Sequence, residues 1–306
     1  MQRVFVAVLI IAGLVVGQPS PGQVGSTLGV VPPDLLAADS APSGIPDLSH
    51  RTVVFSVDDG YHSVFTKVYP LLRQHGMTMT LGVICDYLRG GEPSYAPSAG
   101  FMKRSEIQQM VDSLGIEIAS HSISHPFLTR VDSAAAWKEI KESKTLLESL
   151  FGGEVLTFVY PYGDVNARIR AMTRAAGYRM GRAVRPGRPN LAADPFRLPT
   201  VELRSDTRLE DIQETIAARP LTIILMHQVV DRPTVFTQWN SADFQALVEW
   251  LAGTGVRVAT LAELYREWWY ERMGVFMEQV AAAYPHERKR LLFQDVDVDA
   301  TQALQP

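Results

Sequence analysis

The chain has 306 residues, of which 46% are hydrophobic and 20% are charged, so it can bury a full core as one α/β barrel or as two smaller domains. Its formal net charge of −4 is spread along the sequence without a basic block, which argues against nucleic acid or an anionic membrane surface as a partner. The single cysteine, Cys85, excludes an intramolecular disulfide, and its apolar surroundings indicate a buried hydrophobe.

The N-terminus carries an apolar run, VFVAVLIIAGLVVG, preceded by one basic residue, Arg3. The run is too short for a comfortable membrane span, so residues 1–17 are predicted to be a signal peptide or an uncleaved N-terminal membrane anchor. Residues 18–50 are rich in Pro, Gly, Ser and Ala and are predicted to be a linker. Either form of the N-terminal segment predicts a protein exported from the cytoplasm.

From residue 51 onward, short apolar runs alternate with amphipathic stretches of helical period. The apolar runs predict parallel strands connected by crossover helices, and their continuous hydrophobicity indicates a sheet covered on both faces, as in a barrel with an outer ring of helices. The folded domain is predicted to span residues 51–272. The predicted strands are TVVFSV, MTMTLGVI, IEIAS, VLTFVY, LTIILM and VRVAT, and two of the helices are Ser133–Phe151 and Ser241–Ala252.

After Leu261 an aromatic-rich segment containing Trp268, Trp269, Tyr270 and Phe276 predicts a helix packed against the barrel. Residues 273–306 are assigned to a C-terminal helix and tail. The acidic repeat in that tail has Ala300 where a calcium loop requires glycine, so it is predicted to be a solvated terminus.

Polar residues follow three of the apolar runs directly: Asp58-Asp59-Gly60, His121-Ser-Ile-Ser-His125, and His227. In a parallel α/β barrel the carboxyl ends of the strands share one rim, so these residues are expected to converge on one site. Gly60 allows a sharp turn after the two carboxylates.

The residue types at this rim are those of a catalytic metal site. Two histidines four residues apart and one carboxylate can provide three protein ligands with an open position for water. Adjacent carboxylates repel each other unless a cation relieves them, so one would bind metal and the other would accept protons from water. His227 could then protonate a leaving group. The alternatives are hydrogen-bonded structural histidines and aspartates that bind backbone in a turn.

Four motifs in this order resemble the NodB-type polysaccharide deacetylases, carbohydrate esterase family 4: SVDDG at 56–60, HSISH at 121–125, YPYG at 160–163 and LMH at 225–227. The resemblance covers about Arg51 to Leu264. It implies a distorted (β/α) barrel of about seven strands and removal of N-acetyl, or O-acetyl, groups from a glycan. It also implies a divalent ion, with Zn favoured over Co, Ni or Mn. The implied roles are general base for Asp58, metal ligands for Asp59, His121 and His125, and general acid for His227.

The third motif departs from the family's commonest form, in which an arginine precedes Pro-Tyr-Gly and orients the base. Here Phe158-Val159-Tyr160 precedes Pro161, so Arg182 or Arg185 is considered as the replacement, beside the alternative that both are ordinary surface arginines. The resemblance further implies that the Tyr162 backbone N–H stabilises the oxyanion and that Leu225 lines the acetyl-methyl pocket.

Other functions stay open at this stage. Two histidines and one carboxylate also form the iron site of non-haem oxygenases, although the second aspartate argues against that reading. A glycosidase would place its two carboxylates on different strands, and no such pair stands out. A glycan-binding pseudoenzyme is the non-catalytic alternative. The expected partner is an N-acetylated glycan, and the loop from Arg89 to Phe101 is a candidate wall of its groove.

Overall fold

The computed structural model describes residues 51–88 and 100–283, apart from a few side chains near the end of the last helix. The unit that contains the sheet spans Ala41–Glu271, and Arg272–Pro306 belongs to a second unit of which only the helical backbone to residue 283 is described. The predicted export segment at 1–17, the linker at 18–50 and most of the groove loop at 89–101 lie outside the described residues. So does the tail beyond residue 283.

An all-parallel sheet forms the centre of the described residues. Every strand pair in it runs parallel, as the alternation of apolar runs and amphipathic helices predicts. Its eight strands are β1 (Thr52–Val57), β2 (Thr80–Val83), β3 (Glu117–Ser120), β4 (Thr157–Val159), β5 (Met180–Arg182), β6 (Val201–Glu202), β7 (Leu221–Met226) and β10 (Arg257–Val258).

The strand order is β5-β4-β3-β2-β1-β7-β6, with β10 paired to the first residues of β1. The sheet curls into a distorted barrel in which the segment around Leu198 joins the two outer strands. Leu198 exchanges backbone hydrogen bonds with β5, and three residues later β6 pairs with β7. The predicted fold, a distorted barrel of about seven strands, is confirmed.

The two longest strands, β1 and β7, are paired over six residues, and all their residues are buried. Their apolar side chains therefore pack both inside the curl and against the helices outside it. The main core includes Phe55, Leu81, Phe158 and Phe244, each with no exposed surface. This pairing fixes the carboxyl ends of β1 and β7 next to each other.

The helices lie between the strands in chain order. Their bounds are α1 (Tyr69–Gln74), α2 (Cys85–Leu88), α3 (Arg104–Leu114), α4 (Ser133–Phe151), α5 (Ala167–Ala175), α6 (Leu209–Ala217), α7 (Ser241–Thr254) and α8 (Leu261–Ala283). Side-chain caps explain several starts: the Asp132 carboxylate accepts from the Ala135 N–H before α4, and the Asn240 side chain accepts from the Ala242 N–H before α7.

Two strands of the eight-stranded sheet were not anticipated from the sequence, because β5 and β6 are short and contain polar residues. Gly181 in β5 shows why its segment lacks a hydrophobic pattern: a Cβ atom there would come within 2.4 Å of the Tyr160 hydroxyl oxygen. A bulky strand residue would displace that ring.

A small parallel pair, β8 (Gln228–Val230) and β9 (Gln238–Asn240), lies beyond β7 and leads into α7. Among the described helices, none combines the length and the apolar character that crossing a bilayer requires.

Candidate metal centre

The turn after β1 places two adjacent aspartates at the carboxyl edge of the sheet. The Asp58 N–H still donates to the Met226 carbonyl of β7, so the strand pairing holds this carboxylate in place. Asp59 and Gly60 then both adopt positive φ, 69° and 82°, which reverses the chain within two residues. Both aspartates are buried, which is costly for carboxylates that lack a compensating charge.

The two histidines lie in the loop after β3, which helix α4 holds in place. The Glu139 carboxylate of α4 accepts hydrogen bonds from the backbone N–H groups of Ile123 and Ser124, between His121 and His125. Both imidazoles are buried. The loop conformation is therefore imposed from outside the site, and both rings face the same point.

Three candidate ligand atoms converge. The Nε2 atoms of His121 and His125 are 3.1 Å apart, and they lie 3.4 and 3.7 Å from the Asp59 Oδ1 atom. These three atoms form the metal-compatible cluster found among the described residues. Asp59 Oδ1 is buried and has no hydrogen-bond partner there. An unpaired carboxylate oxygen facing two imidazole nitrogens fits a divalent cation.

The protonation states suit metal binding. The His121 Nδ1 atom lies 2.8 Å from the Val159 carbonyl oxygen, which can only accept, so Nδ1 carries a proton and Nε2 is the ring nitrogen that faces the cluster. Burial, followed by the charge of His121, lowers the pKa of His125 to about 3. Burial raises the pKa of Asp59, but the three neighbouring histidines outweigh it and lower that pKa to about 2. Asp59 is therefore ionised and His125 neutral near pH 7.

Asp58 lies apart from this cluster and is paired with a buried arginine. The Arg182 guanidinium of β5 has no exposed surface, and its Nη2 donates a short hydrogen bond to Asp58 Oδ1. The other carboxylate oxygen, Oδ2, lies 3.8 Å from His121 Nε2 and faces the ligand cluster. Of the two arginines considered from the sequence, the structure brings Arg182 to the base. Arg185 is exposed at the surface, so its suggested role in tuning Asp58 is corrected.

Backbone strain is concentrated at this site. Within the described residues, the non-glycine residues with positive φ are Asp59 (69°), Ser122 (68°), His125 (62°) and Tyr162 (58°). Each such conformation costs on the order of 1–3 kcal/mol and persists only where the surrounding structure enforces it. All four lie in the loops that carry the predicted motifs. The geometry of this rim is therefore maintained at a cost in the free energy of folding.

The end of β7 contributes the fourth motif. Leu225 is fully buried in the strand, and His227, one residue beyond the strand, is half-buried. The pairing of β7 with β1 brings His227 to the same edge of the sheet as the two aspartates, and the charge of His227 lowers the pKa values of Asp59 and His125. Its Nδ1 atom is buried and without a partner among the described residues.

Tyr162 forms the open side of the site. It lies in the 3-10 turn Pro161–Gly163, and its side chain is 49% exposed. Its ring centroid is 4.4 Å from that of His125, and on the other side it stacks on Phe127 at 3.8 Å with an interplanar angle of 9°. Tyr162 of the third motif therefore contacts His125 of the second motif at the surface of the site.

Sequence reasoning missed several residues that shape the site. Tyr61, directly after the aspartate motif, is buried, and burial together with the charge of Asp59 raises the pKa of its hydroxyl well above the usual value. Gln228 is buried beside it and is held by the Gln238 side chain at 2.9 Å. Position next to a motif was the available signal for Tyr61 and Phe127. Glu139 had no such signal, because it acts from a helix distant in sequence.

Comparison with known proteins finds one matching family model and several related sequences. Residues 46–181 match the family model described as "Polysaccharide deacetylase". The chain is 28% identical over 155 residues to "Putative polysaccharide deacetylase YxkH" of Bacillus subtilis, a match covering 50% of each protein. It is 26% identical over 178 residues to "Chitooligosaccharide deacetylase" of Rhizobium leguminosarum bv. trifolii, covering 58% of this chain and 71% of the relative. The chain thus spans about half the length of the first of these relatives.

A solved structure agrees with the fold. The Streptococcus pyogenes deacetylase PplD in complex with acetate superposes with a TM-score of 0.51 at 20% identity, covering 61% of this chain and 78% of that one. At this level of identity the likeness concerns the fold alone.

Proposed function

We propose that the chain, whose residues 46–181 match the polysaccharide deacetylase family model, is a metal-dependent hydrolase that removes N-acetyl groups from a polysaccharide or oligosaccharide. The observation that carries the proposal is that two adjacent carboxylates have different surroundings and can therefore have different roles. Asp59 faces His121 and His125 with an unpaired oxygen, whereas Asp58 is held by Arg182 with its second oxygen directed at the same point.

Asp59, His121 and His125 would hold a divalent ion, with zinc favoured and cobalt, nickel or manganese as alternatives that use the same nitrogen and oxygen ligands. Such an ion, when bound, supplies Lewis-acid activation of water and of the acetyl carbonyl. The three protein ligands leave space for these groups, as catalytic sites do.

Asp58 acts as the general base in this proposal. Its Oδ1 is occupied by Arg182, so Oδ2 is the oxygen that accepts the proton of the attacking water. The buried guanidinium places a positive charge against the carboxylate and fixes its direction. This gives Arg182 the orienting role that the third motif lacks.

His227 donates a proton to the departing amine from the β7 side of the site. Its half-buried position leaves part of the ring accessible to substrate. Leu225, buried one layer below, is proposed to contact the acetyl methyl group, and the Tyr162 backbone N–H is proposed to bind the carbonyl oxygen as negative charge develops.

The substrate class rests on the relatives. One is named a chitooligosaccharide deacetylase and another a peptidoglycan-N-acetylmuramic acid deacetylase, so an N-acetylated glycan is proposed here, with O-acetyl groups as a secondary target. We also propose that residues 1–17 export or anchor the protein, because they combine a basic residue, Arg3, with an apolar run that is too short for a comfortable membrane span.

Acetate release tests the proposal. The full chain should release acetate from an N-acetylated glucosamine oligomer, lose that activity on exhaustive chelation, and regain it on addition of zinc, cobalt, nickel or manganese. Acetate release that persists after complete metal removal would contradict it. Turnover without dioxygen excludes an iron oxygenase, and any metal-dependent turnover excludes a pseudoenzyme.

A further inference from the structure

A stack of three side chains leads from the metal ligands to the surface. The Tyr162 ring lies against His125, the Phe127 ring stacks on Tyr162, and the Arg130 guanidinium carbon lies 4.1 Å from the Phe127 ring centroid. Because Tyr162 occupies one face of Phe127, the guanidinium covers the other face. We call Tyr162, Phe127 and Arg130 the rim stack.

The rim stack is built on a fixed loop. The Asp164 carboxylate accepts hydrogen bonds from the Thr129 N–H and hydroxyl, each at 2.8 Å. The Arg168 guanidinium donates to the carbonyl oxygens of Leu128 and Val131, each at 3.0 Å. Asp164 and Arg168, which follow the third motif, therefore hold the loop that follows the second motif. This loop positions Phe127 and Arg130 beside the site before substrate binds.

No carboxylate among the described residues forms an ion pair with Arg130. The Arg130 side chain is exposed. Within residues 51–88 and 100–283, its guanidinium contacts the Phe127 ring. The neighbouring carboxylates are engaged elsewhere, Asp164 with Thr129 and Asp132 with the first turn of α4. Stacking on an aromatic face leaves the N–H edges of a guanidinium free to bind an anion in bidentate geometry.

We propose that the rim stack is a glycan subsite in which the exposed part of the Tyr162 ring contacts a sugar next to the acetylated one, Phe127 holds Tyr162 and Arg130 in place, and Arg130 binds an anionic group on that sugar. This inference rests on the proposed function and narrows its substrate to an N-acetylated glycan that carries a carboxylate, or a phosphate, one residue from the reacting acetamide. The Tyr162 ring supplies apolar contact, and the guanidinium supplies selectivity for charge.

The test compares two substrates of equal length: a neutral N-acetylglucosamine tetramer and a peptidoglycan-type tetrasaccharide whose alternate sugars carry a lactyl carboxylate. A third, phosphate-bearing N-acetylated oligomer separates phosphate from carboxylate as the anion. Wild-type protein loaded with zinc should give a higher kcat/KM on an anionic oligomer than on the neutral one. Raising the salt concentration should reduce that preference, because an exposed charge pair is screened.

Arg130→Gln should lower kcat/KM on the preferred anionic oligomer about 3- to 10-fold more than on the neutral oligomer, as expected for one exposed charge-assisted contact. Arg130→Lys should restore part of the preference. The matched control is Arg174→Gln, which removes another exposed arginine stacked on a phenylalanine, Phe196, at 4.8 Å but in the last turn of α5. This control should leave the ratio between substrates unchanged.

Equal loss of activity on all three oligomers in Arg130→Gln, or a wild-type preference for the neutral oligomer, would overturn the subsite. These results differ from failure of the proposed function, in which the zinc-loaded wild type would release no acetate from any of the oligomers.

Discussion

Two buried carboxylates at opposite edges of the sheet show different chemistry. Asp59 follows β1 at the carboxyl edge, and Glu117 begins β3 at the amino edge. Glu117 accepts from the Thr80 hydroxyl at 2.7 Å, the Thr157 hydroxyl at 2.5 Å and the Ala262 N–H at 2.8 Å. Asp59 Oδ1 has no such partner among the described residues.

At the amino edge the Glu117 carboxylate is fully satisfied, whereas the buried Thr52 hydroxyl of β1 has no partner among the described residues. Thr80, Glu117 and Thr157 are the first residues of three neighbouring strands, and the Thr80 hydroxyl also accepts from the Leu261 N–H at the start of α8. These contacts join three strands to a helix terminus and leave no chemistry open to a ligand. They are what a structural role requires.

The carboxyl edge is unsatisfied and strained by contrast. It holds the positive-φ residues and the buried unpartnered atoms Asp59 Oδ1 and His227 Nδ1, together with two Arg182 nitrogens. Burial alone therefore does not mark a functional carboxylate in this protein. The marker is burial combined with missing partners and imposed strain.

The largest expected effect on stability comes from removing the charge that balances Asp58. Arg182→Met should lower the free energy of unfolding by about 3–5 kcal/mol, because an uncompensated carboxylate would remain buried. Chemical denaturation of the metal-free protein measures it. Arg170→Met, which breaks the half-exposed pair with Asp194, should cost about 1 kcal/mol or less.

A double variant shows whether the buried charge is the cause. Arg182→Met combined with Asp58→Asn should recover part of the lost stability, since the unpaired charge is then gone. If the losses in free energy of unfolding from Arg182→Met and Asp58→Asn simply added in the double variant, packing rather than charge would explain the effect.

The amino edge should show a smaller effect that is confined to stability. Glu117→Gln places an amide donor against groups that already donate, so we expect a loss of about 1–3 kcal/mol in the free energy of unfolding. Metal affinity should not change. Glu267→Gln, at a half-exposed pair with Arg257, is the control for a surface carboxylate. A loss of bound metal in Glu117→Gln would show that the two edges are coupled.

The smallest effect is a pH dependence of the metal-free protein that arises at the carboxyl edge. The pKa of His125 is about 3 in the folded chain against 6.5 in a free side chain, so between these values the unfolded chain binds a proton that the folded chain does not. The free energy of unfolding should therefore fall as the pH falls from 6.5, by at most about 1.4 kcal/mol per pH unit for this one proton.

Asp59 titrates in a lower range, because its pKa is lowered to about 2 and its stabilisation is lost below its unfolded value near 3.8. Measurements between pH 6.5 and 4.5 lie above the range in which Asp59 titrates, and comparison with a His125 variant gives the share of the slope that His125 contributes. His125→Asn should reduce the slope in this range, and an unchanged slope would show that His125 is not a neutral buried imidazole.

Much of the fold was predictable because burial on both faces makes strands visible as apolar runs. TVVFSV and LTIILM coincide with β1 and β7, and Ser133–Phe151 coincides with α4. The remaining predicted strands were placed correctly but extended by one or more residues, since hydrophobic segments continue past the last paired residue. The turn at Gly60 was also anticipated, and its φ is 82°.

The sequence identified most residues of the site, but it did not predict how they are arranged. Asp58, Asp59, His121, His125 and His227 could be chosen because they follow strands that share one edge. The choice between Arg182 and Arg185 could not be made, because β5 is three residues long and its register decides which arginine points inward. Glu139 and the rim stack depend on contacts between loops and helices, which no local pattern encodes.

The central claim is that Asp59 holds metal and Asp58 moves a proton, and metal analysis beside steady-state kinetics on two matched variants tests it most directly. Asp58→Asn should retain bound metal while kcat for acetate release falls by about 10²–10⁴-fold, the usual contribution of a general base. Asp59→Asn should lose the metal, because an anionic ligand is gone. Loss of metal in Asp58→Asn with retention in Asp59→Asn, or an unchanged rate in both, would contradict the account.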